Sequence, residues 1–106
     1  MSLLSTPTAA EPIILDGRKY TPVENGSALG LPQKTGYLSI IDVEAIELLF
    51  VIQIFEVSDP ERTDSVPEQI TEMTHDPTQN RLVLATSEGK RFALDLQGLS
   101  VSKLAP

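Results

Sequence analysis

From Leu38 to Val57 the chain reads LSIIDVEAIELLFVIQIFEV, fourteen apolar residues in twenty. Two periods compete for this stretch. On a helical wheel, Ser39, Asp42, Gln53 and Glu56 gather on one side, but Glu44 and Glu47 fall elsewhere, so one amphipathic helix does not account for it. At period two, Ile46, Leu48, Phe50, Ile52 and Ile54 make an unbroken apolar face. The alternate positions Ala45, Leu49, Val51, Phe55 and Val57 are also apolar, interrupted by Glu47 and Gln53. Eight of the twenty residues are Ile or Val, whose branched side chains suit a pleated surface. Two apolar faces predict a strand covered on both sides. Such a strand is long for a small domain, so a break or sharp bend is expected at Asp42–Glu47, where DVEAIE suits a helix better than a strand. A short helix with Asp42 as its N-cap is the competing reading.

The flanking segments are shorter and clearer. IILDGRKYTPV predicts a hairpin of Ile13–Leu15 and Lys19–Val23, because Asp-Gly between two β-suited runs supplies the backbone a tight turn needs. Pro22 cannot donate to a ladder, which places the second strand at an edge or ends it there. Glu24 to Gly36 holds Gly26, Gly30, Pro32 and Gly36 and reads as one long loop. Loops of this length often carry function. The spacing fits neither the dinucleotide fingerprint nor the phosphate-loop pattern.

A polar loop follows at SDPERTDSVPEQ, residues 58–69. In the next stretch, Ser65, Pro67 and Glu68 have the spacing of a helix start, with Val66, Ile70 and Met73 as its apolar stripe. The β-leaning composition of ITEMT and the turn DPTQN after it favour a strand over 70–75 instead. RLVLAT, SEGK and RFALDL form a hairpin pattern with Gly89 in its turn, and QGLSVSKL adds a last short strand after a break at Gly98. The fold class is therefore mainly β: a small antiparallel barrel or sandwich of six to seven strands, with room for one short helix. Residues 1–12 are expected to be a flexible N-terminal tail and 13–106 a single β domain.

Charge changes the picture at one place. The chain carries 15 acidic and 8 basic residues, for a net charge of −7. Residues 56–76 hold Glu56, Asp59, Glu61, Asp64, Glu68, Glu72 and Asp76 against Arg62 alone. Too few Lys and Arg are clustered for direct nucleic-acid binding, and an anionic membrane would repel the chain. An acidic segment suits a basic protein partner, although acidic loops also serve solubility alone. The absence of cysteine excludes disulfides, thiolate chemistry and cysteine zinc sites. No secretory signal and no run long enough for a membrane helix is recognisable, so a cytoplasmic location is expected.

Candidate chemistry is sparse. His75 is the single histidine, a general base or metal ligand in the sharp reading and a surface residue before a turn in the plain one. Asp76, its neighbour, would point to the opposite face of a strand. DPERTDSVPE lacks the glycine and spacing of a calcium loop, and no nucleophile elbow appears. No catalytic residue, metal ligand or cofactor is assigned, and the chain is not expected to be an enzyme.

The resulting expectation is a non-catalytic protein–protein interaction or assembly module acting through an acidic surface. Glu56, Asp59, Glu61, Asp64, Glu68 and Glu72 would be the partner-binding residues, with the glycine-rich loop 24–36 beside them. One alternative is a small-molecule-binding barrel lined by Phe50, Ile52, Ile54, Phe92 and Leu94. Another is an acidic inhibitor, immunity or phage-associated protein, suggested by composition alone. If the small domain does not cover both faces of residues 44–57, one face must meet another chain, as in a homo-oligomer.

Overall fold

The structure is a computed structural model and describes residues 8–57 and 68–105; within these, eight strands form two antiparallel four-stranded sheets. The first holds β1 (Ile13–Leu15), β2 (Arg18–Pro22), β3 (Tyr37–Asp42) and β4 (Glu47–Gln53) in chain order. The second holds β5 (Ile70–Asp76), β6 (Arg81–Thr86), β7 (Arg91–Asp95) and β8 (Val101–Leu104), again in chain order. The mainly β expectation holds. The sheets do not close into a barrel; they share one core in a sandwich-like arrangement, and the strands number eight rather than six or seven. No helix of the described residues is long and apolar enough to cross a membrane, which says nothing of strands.

Local turn chemistry explains the two meanders. Asp16 and Gly17 both take positive φ, 49° and 76°, as a two-residue hairpin turn requires. Between β3 and β4, the Asp42 carboxylate accepts the backbone N–H groups of Glu44 and Ala45, each at 3.0 Å. Asp42 therefore caps a turn and not a helix. The expected bend over 42–47 is a full reversal. Strand also wins over helix at 70–76, where Met73 pairs with Leu84 and His75 with Leu82. After β7, the Asp95 carboxylate takes the N–H groups of Gln97 and Gly98, and Leu99 adopts φ 58°. The chain thus breaks beside Gly98, but the left-handed residue is its neighbour.

Cross-strand rows build the core. Ile13, Tyr20 and Ile40 lie opposite one another in the first sheet, and Met73, Leu84 and Phe92 in the second. Leu38, Ile40, Leu82, Leu84 and Leu94 are fully buried. Each such side chain stabilises the fold by about 1.5–3 kcal/mol relative to exposure. Phe55 and Phe92 stack between the sheets with centroids 5.7 Å apart. The expectation of a strand covered on both faces fails at β4, which is the last strand of its sheet and exposes Leu48 and Phe50. It is β3 that is covered, with Tyr37 to Ile40 buried throughout.

The glycine-rich loop is a clamp. The Gln33 amide donates to the carbonyls of Thr35 and Phe55 at 2.9 and 2.8 Å, and its oxygen accepts the Val57 N–H at 3.2 Å. Thr35 Oγ1 donates to the Glu68 carbonyl at 2.6 Å. Gly36 is required because a Cβ there would lie 2.5 Å from the Gln33 amide and 2.6 Å from the Phe55 carbonyl, at a φ of 94°. The loop therefore holds both ends of the connection between the two sheets.

Replacing Gln33 with Ala leaves the Phe55 carbonyl and Val57 N–H without their side-chain partner. Unfolding in urea should show a loss of about 1–3 kcal/mol. Gln33→Glu should lose a comparable amount, because a carboxylate cannot donate to Phe55.

Candidate functional site

Four strands form the borders of the two sheets, and they are not equivalent. β1 spans three residues. β8 spans four and exposes Ser102 and Lys103. β5 is bulged at Thr71, exposes Glu72, Thr74 and His75, and has Ala10 N–H bound to the Ile70 carbonyl at 3.0 Å. Shortness, lysine, bulges and covering backbone are the usual protections of a sheet border. β4 is seven residues long and has one charge, Glu47. It carries Leu48 and Phe50 at 53% and 45% exposure, and the turn before it exposes Val43 and Ile46 at 41% and 86%.

Among the described residues, no strand pairs with the outer side of β4. The Ile54 N–H donates to the Gly36 carbonyl, on the β3 side. Alternation along a strand then directs the N–H and C=O groups of Phe50 and Ile52 toward β3 and those of Val51 and Gln53 away from it. A bulge interrupts this order: Ile40 lies opposite Phe50 and Ile41 opposite Leu48, leaving Leu49 as the extra residue. Leu49 packs on the core, while Phe50 stands at its rim. Beyond the bulge, residues 50–53 form a regular open segment.

Ile46 adds backbone strain to this apolar border. It has φ 52°, a left-handed conformation in which a β-branched side chain is an outlier. Such a residue costs about 1–2 kcal/mol relative to its ordinary conformation. Glycine or asparagine would relieve the strain and remove an exposed hydrophobe. The sequence instead places isoleucine there, beside Leu48 and Phe50. The period-two reading grouped Ile46, Leu48 and Phe50 on one face; the turn and the Leu49 bulge separate them, while all three remain on the accessible border.

Of the six acidic residues expected to meet a partner, Glu56, Glu68 and Glu72 lie within the described residues, and they differ in exposure. Glu56 is exposed just after β4, and Glu72 is exposed on β5 in the other sheet. Glu68 is buried; it accepts a hydrogen bond from the Thr86 hydroxyl and pairs with Lys90 Nζ at 3.3 Å. Its carboxylate is committed inside the fold. Asp59, Glu61 and Asp64 lie outside the described residues, as does Ser65 of the helix-start pattern. In the loop 24–36, Gly26, Gln33, Thr35 and Gly36 are buried, while Ser27 to Gly30 are exposed.

His75 lines an open cleft of about 490 Å³ with Leu15, Arg18, Tyr20, Asn80 and Leu96. Asp76 points elsewhere, as strand alternation requires: it accepts from Thr78 Oγ1 at 2.6 Å and from Arg81 Nε at 3.1 Å. The Thr78 hydroxyl holds the Asp76 carboxyl below its ordinary value of 3.8; burial opposes it, and the Arg81 guanidinium and the Gln79 backbone N–H add to the lowering. Among the described residues, no group of three or more His, Asp or Glu side chains could hold a metal ion. Of the five side chains expected to line a barrel, Ile54, Phe92 and Leu94 are buried in the sandwich core and Ile52 packs against it, whereas Phe50 is at the border.

Ile46→Gly should stabilise the chain by about 0.5–1 kcal/mol, because relief of the left-handed strain exceeds the entropy that glycine adds to the unfolded state. Thermal unfolding measures it; a destabilised variant would show that the side chain packs within its own chain. For Asp76, the lowered value means that the ionised carboxylate stabilises the fold above pH 3.8 and that this contribution is lost as pH falls through the lower folded value. Asp76→Asn should therefore flatten the acid side of the thermal-midpoint profile.

Compared with family models, curated proteins and solved structures, the chain has no significant match.

Proposed function

We propose that this chain is a non-catalytic protein-interaction or assembly module, and that it engages its partner by strand addition at β4. One observation carries the reading: among the described residues, β4 is the sheet border that combines length, low charge, outward-facing backbone groups and exposed large hydrophobes. In strand addition the backbone supplies the hydrogen bonds and alternate side chains supply the selectivity. Here Val51 and Gln53 would provide the donors and acceptors, and Phe50 and Leu48 the apolar contacts. The expected acidic surface has a smaller part in this reading. Glu56 follows closely on β4, where an exposed carboxylate acts on the rate of association more than on affinity.

A peptide of sequence ELLFVIQ, titrated into the labelled protein, tests whether the border accepts a strand. With the protein dilute enough to be monomeric, the expected result is protection from hydrogen exchange at the Val51 and Gln53 amides. Leu48→Lys with Phe50→Lys should weaken that binding at least tenfold while leaving thermal stability within about 1 kcal/mol, since both side chains are already exposed. Binding of equal strength to the double variant would show that β4 is not the contact.

A further inference from the structure

Resting on the strand-addition reading, we infer that the occupant of β4 is β4 of a second copy, paired antiparallel about a two-fold axis beside Val51, so that the two first sheets join into one of eight strands. Three observations bear on a second copy as the occupant; the first permits it and the other two favour it. The first is backbone symmetry. Val51 faces its N–H and C=O away from β3, and in an antiparallel pair a residue opposite itself exchanges both bonds with its own copy. The second is the side-chain match in that register. Phe50 comes opposite Ile52 on both sides of the axis, an aromatic facing a β-branched residue in each of the close, non-hydrogen-bonded positions. The pairing also lies on residues 50–52, clear of the Leu49 bulge.

The third observation is charge. The whole chain carries −7, so most of its surface repels a second copy. From Leu48 to Phe55 the sequence has no ionisable residue, and Val51 stands at its interior. The border that is open, apolar and regular is thus also the part of an acidic molecule where self-repulsion is weakest.

Charge exchange at the axis tests the pairing, because a residue on the axis meets itself. Sedimentation equilibrium should give the wild type a mass twice the 11.5 kDa of one chain. Val51→Glu and Val51→Lys should each shift association toward the monomer by at least tenfold, and an equimolar mixture of the two should recover the dimer. Val51→Thr, which keeps the branched shape, should fold and dimerise like the wild type, and circular dichroism checks that all variants fold. A Val51→Glu protein that still dimerises would place the contact elsewhere and overturn the inference. So would an equimolar mixture that stays monomeric.

The wild type's own mass separates the two levels of the reading. A monomeric wild type that binds the ELLFVIQ peptide at β4 would overturn the second copy and leave strand addition standing. A monomeric wild type that does not bind it would overturn both.

Discussion

The structure depends on how one chain passes from its first sheet to its second, and the Gln33 side chain governs that passage. Where β4 ends, the backbone leaves its ladder and its polar groups need new partners. The Gln33 amide serves the Phe55 carbonyl and the Val57 N–H together, and Thr35 holds the Glu68 carbonyl on the far side of the connection. With these ends fixed, Phe55 reaches across to stack on Phe92, and Ile54 and Ile70 close the core beneath them. The long loop 24–36 is accordingly a structural part, and its two crowded glycines, Gly26 and Gly36, are there because the backbone has no room for a Cβ.

Much of the fold was legible before any coordinates. Asp16-Gly17, Gly89 and the alternation in RLVLAT and RFALDL marked the hairpins, because turn residues and period two are local properties of the chain. The Asp42–Glu47 break was legible as an interruption. Its form was not: the carboxylate that can start a helix can equally cap a tight turn, and only the partner strand decides between them. The error of substance concerned β4. Two apolar faces suit both a covered inner strand and an exposed border strand, and position within a sheet is a tertiary property that periodicity does not encode.

The site divides along the same line. Leu48, Phe50 and Ile46 were recognisable as apolar, and the argument that an uncovered sheet face needs another chain followed from composition. Their exposure was not recognisable, nor was the left-handed φ of Ile46, since no residue type announces a strained turn. Within the acidic run, one described residue departs from the expected surface for a related reason. Sequence neighbours share charge but not direction, and Glu68 turns inward to Thr86 and Lys90. Burial of that carboxylate is tolerable because each oxygen has a partner, one hydroxyl and one ammonium.

Both sheets are uninterrupted runs of sequence, residues 13–53 and 70–104, and no strand of one is inserted into the other. Every backbone ladder therefore closes between neighbours along the chain, which is the arrangement associated with rapid folding. It also makes the molecule divisible. Two polypeptides, cut apart between Val57 and Glu68, would each retain a full set of hairpins, and the Thr35–Glu68 hydrogen bond, with the Phe55–Phe92 stack in the shared core, would reunite them without a peptide bond. The same logic permits exchange of halves between neighbouring chains, so crowding during synthesis exposes this architecture to swapped assemblies as well as to correct ones.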